Sequence, residues 1–466
     1  MQPFEKITEY SQAVCRQIRW KKARPAVARE ITGHLLDQKA AYMREGAQED
    51  AAAEKAIAQM GDPIEVGAQL DRIHRPRPQW GMLLLTLLLV AAGACLRFFL
   101  TEDGVRHISG RQFWALVLGL AALAATYLGD FTLIGKYPKA TYYGVLTMVG
   151  LVLMLGWAHA HYSFPTGRLF WTLAPYISLL FPLAFAAMVY TQRGRGTIGV
   201  LLCGVSILPF LLVCLVIPNL IGFLMTAISG LVLLFAVIER GWFGPQKLRN
   251  HLLVALPTAA IVLAAALNLS AYHAQRLAAL LHPETDPLGS GYITVTTRNL
   301  LAQAKLLGAG TLPQQYIGME RFPLPGTATD SFLTYLIFRL GWLPFAALML
   351  VFGLFIAWGF VKCFRQKSEL GFLVSVSVLL TFTYQVVNYV RFNLGIPLSA
   401  PLSLPLVSYG NTALVVNLGL IGLMLSVFRS GETAEDTQPR HHGVPRLSLP
   451  LIQWRDKKLI IDFGGR

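Results

Sequence analysis

A carboxylate at the start of a long apolar run is the residue in this sequence that is best suited to chemistry. Asp330 follows Thr329, and the apolar run begins two residues later at Phe332. An acid is costly to place beside hydrocarbon, so its presence there indicates a functional site. The alternative is an N-cap, in which the carboxylate accepts hydrogen bonds from free N–H groups at the helix start. Both interpretations stay open at this point, and one residue can serve in both.

Asp330 closes a polar segment, 271–330, that separates two apolar runs. The segment holds charged residues, amphipathic stretches and many glycines and prolines. Loops longer than about 12–15 residues are usually functional or disordered. Within this segment Gly308 and Gly310 follow Lys305, and such a turn could let the backbone approach a bound molecule closely. The same pattern is also typical of a plain hinge.

The composition indicates an integral membrane protein. The chain has 466 residues, of which 54% are hydrophobic and 14% are charged, whereas a soluble domain has about 25% charged residues. The net charge of +15 does not indicate nucleic acid, because the basic residues fall mainly in short links between apolar runs, where they set membrane orientation. The five cysteines are scattered singly, so no spacing predicts a metal site or a disulfide framework.

Ten apolar runs predict an all-α polytopic membrane protein with about ten transmembrane helices. Each run is near the roughly 20 residues that a helix needs to cross the hydrocarbon core. None of them alternates as barrel strands do, which leaves helices as the spanning structure. The runs lie at 80–99, 113–134, 139–158, 169–190, 197–217, 219–238, 251–270, 332–360, 371–393 and 405–428.

The basic links predict the orientation of these helices. With ten helices, most of the lysine- and arginine-rich links fall on one side, and the positive-inside rule makes that side cytoplasmic. Both termini are then cytoplasmic, and segment 271–330 is a long extracellular loop between the seventh and eighth helices. The predicted domains are a cytoplasmic helical domain at 1–78, a membrane domain at 79–428 and a cytoplasmic tail at 429–466.

Residues 1–78 read as a small unit of three or four helices. One helix begins at Arg24-Pro25, an alanine-rich helix ends before Gly61, and Asp62-Pro63 starts another. The pattern resembles the permease-prefix (HAAS-like) helical domain found ahead of some bacterial permeases and sensors. Regulation or partner docking and a plain cytoplasmic cap are both compatible with it.

The membrane part carries a more specific resemblance. Thr329-Asp330 closes the outer loop, and Gln385, Asn388 and Pro397 precede a segment of the form L-P-x-x-S-Y-G-x-[ST]. That segment is formed by Leu404, Pro405, Ser408, Tyr409, Gly410 and Thr412. Over residues 80–428 the sequence resembles the shape, elongation, division and sporulation (SEDS) family, the FtsW/RodA/SpoVE-like peptidoglycan polymerases.

Three departures mark this sequence as a divergent member. Arg339 stands in the stretch where the family usually carries an acid. Asn219, in Ile217-Pro218-Asn219, stands where the family has an aspartate. Ser403 replaces the second proline of the closing segment.

The resemblance implies a glycosyltransferase that polymerises the lipid-linked disaccharide-pentapeptide lipid II. A sugar hydroxyl attacks an anomeric carbon and undecaprenyl pyrophosphate leaves, so the reaction needs a base and cations near the leaving group. Asp330 is the predicted catalytic base, and Arg276 and Lys305 are the predicted pyrophosphate contacts. The full set of predicted substrate-binding residues is Arg276, Lys305, Gly308, Gly310, Thr329, Ser408, Tyr409, Gln385 and Asn388.

The same resemblance implies partners and a location. They are lipid II, a single-pass class B penicillin-binding transpeptidase and the lipids of the bacterial cytoplasmic membrane, with no nucleic acid. No residue cluster predicts a protein-bound metal, although a divalent cation (Mg²⁺ or Mn²⁺) is compatible with the pyrophosphate. Two alternatives stay open: a flippase for a lipid-linked precursor, and a catalytically degenerate scaffold that binds cell-wall synthesis proteins.

Overall fold

The computed structural model describes most of the chain. The described segments are residues 3–21, 23–74, 78–100, 110–162, 167–217, 219–267, 281–319, 322–396, 401–408, 410–430, 452–455 and 458–461. The chain forms two units. The first unit comprises Met1–Gly135 and Ile293–Thr437, and the second comprises Lys136–Tyr292 and Gln438–Arg466.

The described residues are mostly helical, and the helices are numbered here in chain order. The first group is α1 (Pro3–Gln17), α2 (Arg24–Arg44), α3 (Glu49–Met60), α4 (Pro63–His74), α5 (Trp80–Leu100), α6 (Gly110–Leu128) and α7 (Thr132–Lys136). The second group is α8 (Pro138–Tyr162), α9 (Gly167–Ile177), α10 (Phe181–Gln192), α11 (Gly196–Val216), α12 (Leu220–Glu239) and α13 (Lys247–Leu267). The last group is α14 (Tyr292–Ala302), α15 (Phe332–Leu340), α16 (Trp342–Phe364), α17 (Glu369–Asn393) and α18 (Asn411–Ser430).

The tail adds a short element that the all-α prediction does not contain. Strands β1 (Ile452–Arg455) and β2 (Lys458–Ile461) pair in an antiparallel ribbon, with Ile452 opposite Ile461. In the membrane part, the regular secondary structure of the described residues is helical.

Helices α1 to α4 share one hydrophobic cluster. Apolar side chains at helical spacing meet in it, because each amphipathic helix has one apolar face to bury. The cluster includes Ile7, Val14, Val27, Ile31, Leu35, Ala53 and Ala56. The Tyr10 hydroxyl donates to the Gly61 carbonyl at 2.9 Å, and Gly61 ends α3 with φ +93°. The predicted domain boundary at 78 stays a prediction.

Among the described residues, seven helices are long and apolar enough to cross a membrane, so the chain is a multi-pass membrane protein. They cover Pro138–His161, Leu173–Gln192, Gly196–Val216, Leu220–Glu239, Trp342–Phe364, Glu369–Asn393 and Asn411–Ser430. Two shorter apolar helices cover Trp80–Leu96 and Gln112–Leu128. The remaining predicted run corresponds to α13, which opens with the polar sequence Lys-Leu-Arg-Asn-His. A total of ten spans therefore stays a prediction.

The apolar run 332–360 was predicted as one helix, and this prediction is wrong. The run divides at Gly341, where φ is +100° and the N–H closes α15 by donating to the Ile337 carbonyl at 2.9 Å. A Cβ at this position would lie 2.5 Å from the Leu306 carbonyl oxygen. Only glycine fits such a backbone and such a close approach. Asp330 therefore precedes a separate nine-residue helix and not the spanning helix itself.

In the second unit, Asn219 has a structural role that requires an amide and not a carboxylate. Its Oδ1 accepts from the Gly222 N–H at 2.9 Å and so caps α12. Its Nδ2 donates to the Pro175 carbonyl at 3.3 Å. A carboxylate could make the first bond but not the second, because it has no proton to donate.

Candidate active site

Asp330 lies in a turn that immediately precedes α15. The N–H groups of Thr329 and Ser331 both donate to the Gly326 carbonyl at 2.9 Å, and Gly326 has φ +67°. The N-cap of α15 is Ser331, whose side chain makes no capping bond. The Asp330 carboxylate accepts no hydrogen bond from any residue in the described segments. The N-cap alternative therefore does not describe Asp330.

The environment of this carboxylate favours its protonated form. The residue as a whole is exposed, but the carboxyl group is surrounded by enough protein to lose part of its hydration. This desolvation raises the pKa of Asp330 above its ordinary value. A carboxylate with a raised pKa is a stronger proton acceptor than an ordinary surface aspartate.

The raised pKa predicts that Asp330 destabilises the folded protein as the pH rises. The folded state holds the proton more tightly than the unfolded chain, so the free energy of unfolding falls as the pH rises through the interval between the two pKa values. Asp330→Asn should therefore raise the midpoint of thermal unfolding at neutral pH. The difference should vanish below the unfolded-state pKa of about 3.9. Thermal unfolding of both proteins across this pH range checks the prediction, and a pH-independent difference would contradict it.

A buried asparagine holds the backbone of this turn. The Asn393 side chain, 1% exposed, donates from Nδ2 to the Asp330 carbonyl at 2.9 Å. Its Oδ1 accepts from the Thr334 N–H at 3.0 Å. The Thr334 hydroxyl lies 2.9 Å from the Asn393 carbonyl oxygen. The last turn of α17 is thus bound to both the turn before α15 and its first residues.

Tyr389 adds two further bonds from the same face of α17. Its hydroxyl donates to the Thr329 carbonyl and accepts from the Phe332 N–H. Tyr389 and Asn393 are four residues apart, a spacing that places both side chains on one side of a helix. We call Thr334, Tyr389 and Asn393 the Asn393 network. The network fixes the main chain on both sides of Asp330 and leaves its carboxylate without a partner from the described segments.

The predicted glycine turn lies at the opposite end of α15. The Gly308 N–H donates to the Leu340 carbonyl at 2.9 Å, and the Gly310 N–H donates to the Phe338 carbonyl at 2.8 Å. These bonds satisfy two of the carbonyls that a helix leaves open at its C-terminus. Nine residues rise about 13 Å in an α-helix. The structure therefore does not bring Gly308 and Gly310 beside Asp330.

Lys305 belongs to the same far end. Its carbonyl accepts from the Trp342 N–H at 3.0 Å, at the start of α16, and its side chain is exposed. The turn 305–310 thus has a structural role, because it joins the end of α15 to the start of α16. The substrate contacts predicted for Lys305, Gly308 and Gly310 stay predictions.

Gln385 forms a buried amide pair across two membrane helices. Its Nε2 donates to Oδ1 of Asn417 at 3.0 Å, and Nδ2 of Asn417 donates to Oε1 of Gln385 at 3.1 Å. Each side chain is 2% exposed. Polar side chains inside a membrane helix bundle must find partners within the protein, and this pair joins α17 to α18. The substrate contact predicted for Gln385 stays a prediction beside this structural role.

A double-mutant cycle should show that the two amides depend on each other. Gln385→Leu leaves the Asn417 amide buried without its partner and should cost about 1–3 kcal/mol. The double variant Gln385→Leu/Asn417→Leu removes both polar groups and should recover part of that loss, with a coupling of about 0.6–1.7 kcal/mol. Unfolding of the purified proteins in detergent measures each free energy. Strictly additive losses would contradict the pairing.

Asn388 holds an unused donor beside an arginine. The residue is 5% exposed, and its Oδ1 accepts from Nη2 of Arg391 at 2.6 Å. Its Nδ2 has no hydrogen-bond partner in the described part of the chain. Arg391 also donates to the Ile396 carbonyl at 2.5 Å. An unpaired buried N–H is costly. Asn388 therefore stays a candidate for substrate binding, in which its Nδ2 would donate to an oxygen of the substrate.

Most of the closing segment precedes α18, and of its named residues only Thr412 lies inside the helix. Helix α18 begins at Asn411, and Ser408 lies in the turn before it, where its hydroxyl donates to the Leu404 carbonyl at 3.3 Å. Leu406 has φ +68°, a left-handed conformation that costs a leucine roughly 1–2 kcal/mol. Strained residues of this kind are concentrated at functional sites. Tyr409 and Pro397 lie outside the described residues, so the substrate contact predicted for Tyr409 stays a prediction.

Two arginines reach the end of α17 that anchors Asp330. Arg391 belongs to that end, and Arg298 of α14 donates from Nε to the Gly395 carbonyl at 3.0 Å. Gly395 has φ +73° and a Cβ there would lie 2.8 Å from Arg298 Cγ, so the arginine packs tightly on this turn. Arg276, the arginine preferred from the sequence, lies outside the described residues. The cations described at this end are therefore Arg298 and Arg391.

The membrane part matches a known protein family. A family model described as "Cell cycle protein", covering FtsW, RodA and SpoVE, matches residues 79–433. The chain belongs to this family. The match confirms the resemblance that rested on Thr329-Asp330 and on the closing segment.

Individual relatives of this FtsW/RodA/SpoVE family member match over shorter stretches. The chain is 32% identical to the peptidoglycan glycosyltransferase MrdB of Escherichia coli K12 over 157 residues, which is 34% of this chain and 42% of that protein. It is 28% identical to the stage V sporulation protein E of Bacillus subtilis strain 168 over 161 residues, again 34% of this chain and 42% of that protein. These alignments thus span about 42% of the length of the curated relatives.

A solved structure of similar fold covers more of the chain. It is described as "Structural coordination of polymerization and crosslinking by a peptidoglycan synthase complex" and aligns with a TM-score of 0.58. The alignment has 22% identity and covers 76% of this chain and 98% of that one. At this identity it shows a shared fold.

Sequence reasoning missed the residues that position Asp330. Tyr389 and Asn393 carry a detectable signal, since polar groups four residues apart at the end of an apolar helix need partners. The sequence could not identify those partners as main-chain atoms around Asp330. Thr334 and Asn417 gave no signal beyond being polar in an apolar run.

The described residues do not by themselves build a metal site. Within those segments no group of three or more His, Cys, Asp or Glu side chains comes together. Divalent cations held by proteins usually require several oxygen ligands, and Asp330 is a single carboxylate. A divalent cation carried in with a pyrophosphate stays a prediction.

Proposed function

We propose that this family member is a peptidoglycan glycosyltransferase that polymerises lipid II at the outer face of the bacterial cytoplasmic membrane. The family match over residues 79–433 supports this assignment. The observation that links this proposed activity to a particular residue is the Asp330 carboxylate. It has a raised pKa, and it lies in a turn whose main chain is held by hydrogen bonds. That turn lies outside the helices that are long enough to cross the membrane.

In this proposal Asp330 is the general base. The 4-hydroxyl oxygen of one lipid-linked sugar forms a bond to the anomeric carbon of the next, and the bond from that carbon to the pyrophosphate oxygen breaks. The bonding electrons leave with undecaprenyl pyrophosphate, and the hydroxyl proton passes to Asp330. A base is needed because an alcohol is a poor nucleophile until its proton is removed.

The Asn393 network would act as positioning machinery for this base. It binds the carbonyl of Asp330 itself and the carbonyl of Thr329, and it donates to neither carboxylate oxygen. The side chain is thus free to accept a proton while the main chain cannot move away. Holding a reacting group in place supplies much of an enzyme's rate advantage.

The leaving pyrophosphate needs positive charge near it. Arg276 and Lys305 are proposed from the resemblance, and the structure adds Arg298 and Arg391 at the end of α17. An arginine has five N–H donors in a planar fork, so Arg391 retains donors beyond those that bind Asn388 and Ile396.

The proposed partner is a single-pass class B penicillin-binding transpeptidase. The solved complex of similar fold, described as coordinating polymerisation and crosslinking, supports a partner of this kind. The proposed orientation keeps both termini in the cytoplasm and places the loop 271–330 outside, where lipid II is polymerised.

A polymerisation assay tests the proposal. Purified protein, with and without its candidate transpeptidase, is incubated with labelled lipid II, and the products are separated on a gel. Glycan strands should form, and Asp330→Ala should abolish them. Lipid movement across vesicles without polymer would instead indicate a transporter. Partner binding without either activity would indicate a scaffold.

A further inference from the structure

A cavity away from Asp330 lies between the N-terminal helices and the membrane helices of the first unit. Its volume is about 710 Å³. The turn after α1, the start of α5, the end of α6 and the end of α18 contribute to it. Its walls combine apolar side chains with two arginines, and they include Trp80, Leu83, Leu123, Leu128, Arg19 and Arg429.

The position of aromatic residues places this cavity at the level of lipid headgroups. Trp80 is 73% exposed at the first residue of α5, and Tyr127 lines the cavity near the end of α6. Tryptophan and tyrosine are enriched at both membrane interfaces. Leu128, 70% exposed, continues the apolar wall outward. The cavity is therefore accessible to a lipid from its side.

Arg429 presents donors that the protein leaves unused. Its guanidinium lies 4.8 Å from the centre of the Tyr127 ring, and Nη2 lies 3.5 Å from the Leu128 carbonyl. Its Nε is buried and finds no hydrogen-bond partner in the described part of the chain. Across those same segments, no carboxylate forms an ion pair with it. The site thus holds a positive charge without a described counterion.

Arg19 adds a second cation from the N-terminal helices. Its side chain is 80% exposed, and its Nε lies 3.8 Å from Asp71 Oδ2. The Asp71 carboxylate is also bound by the Arg19 main-chain N–H at 2.7 Å. An exposed ion pair at this distance is weak, so the remaining N–H groups of Arg19 are available to another anion.

We propose that this cavity binds one anionic phospholipid, with its phosphate between Arg429 and Arg19 and an acyl chain along Leu83, Leu123 and Leu128. The phosphodiester matches the guanidinium groups, and the chain matches the apolar walls, whereas a free phosphate matches only the arginines. In the predicted topology this end of the helices is cytoplasmic, and basic pockets at that level bind anionic headgroups. Because Arg19 belongs to the N-terminal helices, the lipid connects them to the membrane part.

Lipid binding to the full-length protein in detergent tests this proposal. Native mass spectrometry after delipidation measures the retention of added phosphatidylglycerol and of phosphatidylcholine. Phosphatidylglycerol should bind more tightly, and Arg429→Gln should weaken it about ten-fold, as expected for one charge-assisted contact. The matched control is Arg365→Gln, which removes an exposed arginine at the end of α16 and should leave binding unchanged.

A second variant keeps the test independent of the folding of the first. Leu128→Glu places a negative charge on an exposed wall position, and it should also weaken phosphatidylglycerol binding. Equal binding of both lipids, or full binding by Arg429→Gln, would overturn the proposal. Displacement of the lipid by inorganic phosphate at equal affinity would also overturn it, because the site would then recognise an anion without a chain.

Discussion

Asp330→Asn is expected to reduce glycan polymerisation by about 10²–10⁴-fold, the usual contribution of a general base. Asparagine keeps the size of the side chain and cannot accept the hydroxyl proton. The Asn393 network binds main-chain atoms at this turn, so the substitution leaves the anchor intact. Initial rates of strand formation from labelled lipid II measure the effect, and thermal unfolding verifies that the variant is folded.

The pH profile gives the same prediction a second readout. As the pH is lowered, Asp330 becomes protonated and can no longer act as a base. Because its pKa is raised, this loss of rate should begin at a higher pH than for an ordinary carboxylate. Asp130→Asn is the matched control, since Asp130 accepts from the Thr132 N–H at 3.2 Å in a turn after α6. Its rate and pH profile should equal those of the unchanged protein. Normal activity of Asp330→Asn would remove Asp330 from the reaction.

Asn393→Ala is expected to have the second largest effect. It removes the acceptor for the Thr334 N–H and the donor to the Asp330 carbonyl. Leaving buried polar groups unpaired costs about 1–3 kcal/mol for each group. The turn that carries Asp330 would then be free to shift, and a displacement of about 1 Å can cost 10²-fold in rate. The turnover rate per folded molecule measures this loss.

Asn250→Ala separates positioning from stability. Asn250 is fully buried in the second unit and donates to the Phe243 carbonyl at 3.2 Å, so its loss should also lower the free energy of unfolding. The rate per folded molecule should stay normal in that variant. If Asn393→Ala behaves in the same way, with only its stability lowered, the Asn393 network does not position Asp330.

The sequence predicts the helices well because lipid imposes one rule on them. An apolar run of sufficient length must satisfy its main-chain groups internally and becomes a helix. The runs at 197–217, 219–238 and 371–393 thus correspond closely to α11, α12 and α17. The sequence does not predict the division of run 332–360. Only the positive φ of Gly341 and its close approach to Leu306 show that the helix must be interrupted there.

The candidate site was predictable in part. Asp330 could be singled out because an acid beside an apolar run is unusual. Its relation to Lys305 could not, because both belong to one loop, and only the course of that loop places them at opposite ends of α15. The partners of Asn393 could not be predicted either, since main-chain groups occur at every residue and leave no signal in the sequence.

The break at Gly341 separates the reactive carboxylate from the helix that crosses the lipid. Turn 305–310 binds the last residues of α15 and also the start of α16, where the Trp342 N–H donates to the Lys305 carbonyl at 3.0 Å. The Asn393 network binds the start of α15 to α17. A spanning helix adapts to a thicker or thinner bilayer by changing its tilt. Because the start of α15 is bound to α17 through the Asn393 network, a tilt of α16 can be absorbed at Gly341 while Asp330 keeps its position relative to α17. The candidate site would therefore keep its geometry relative to α17 while the membrane around α16 changes thickness.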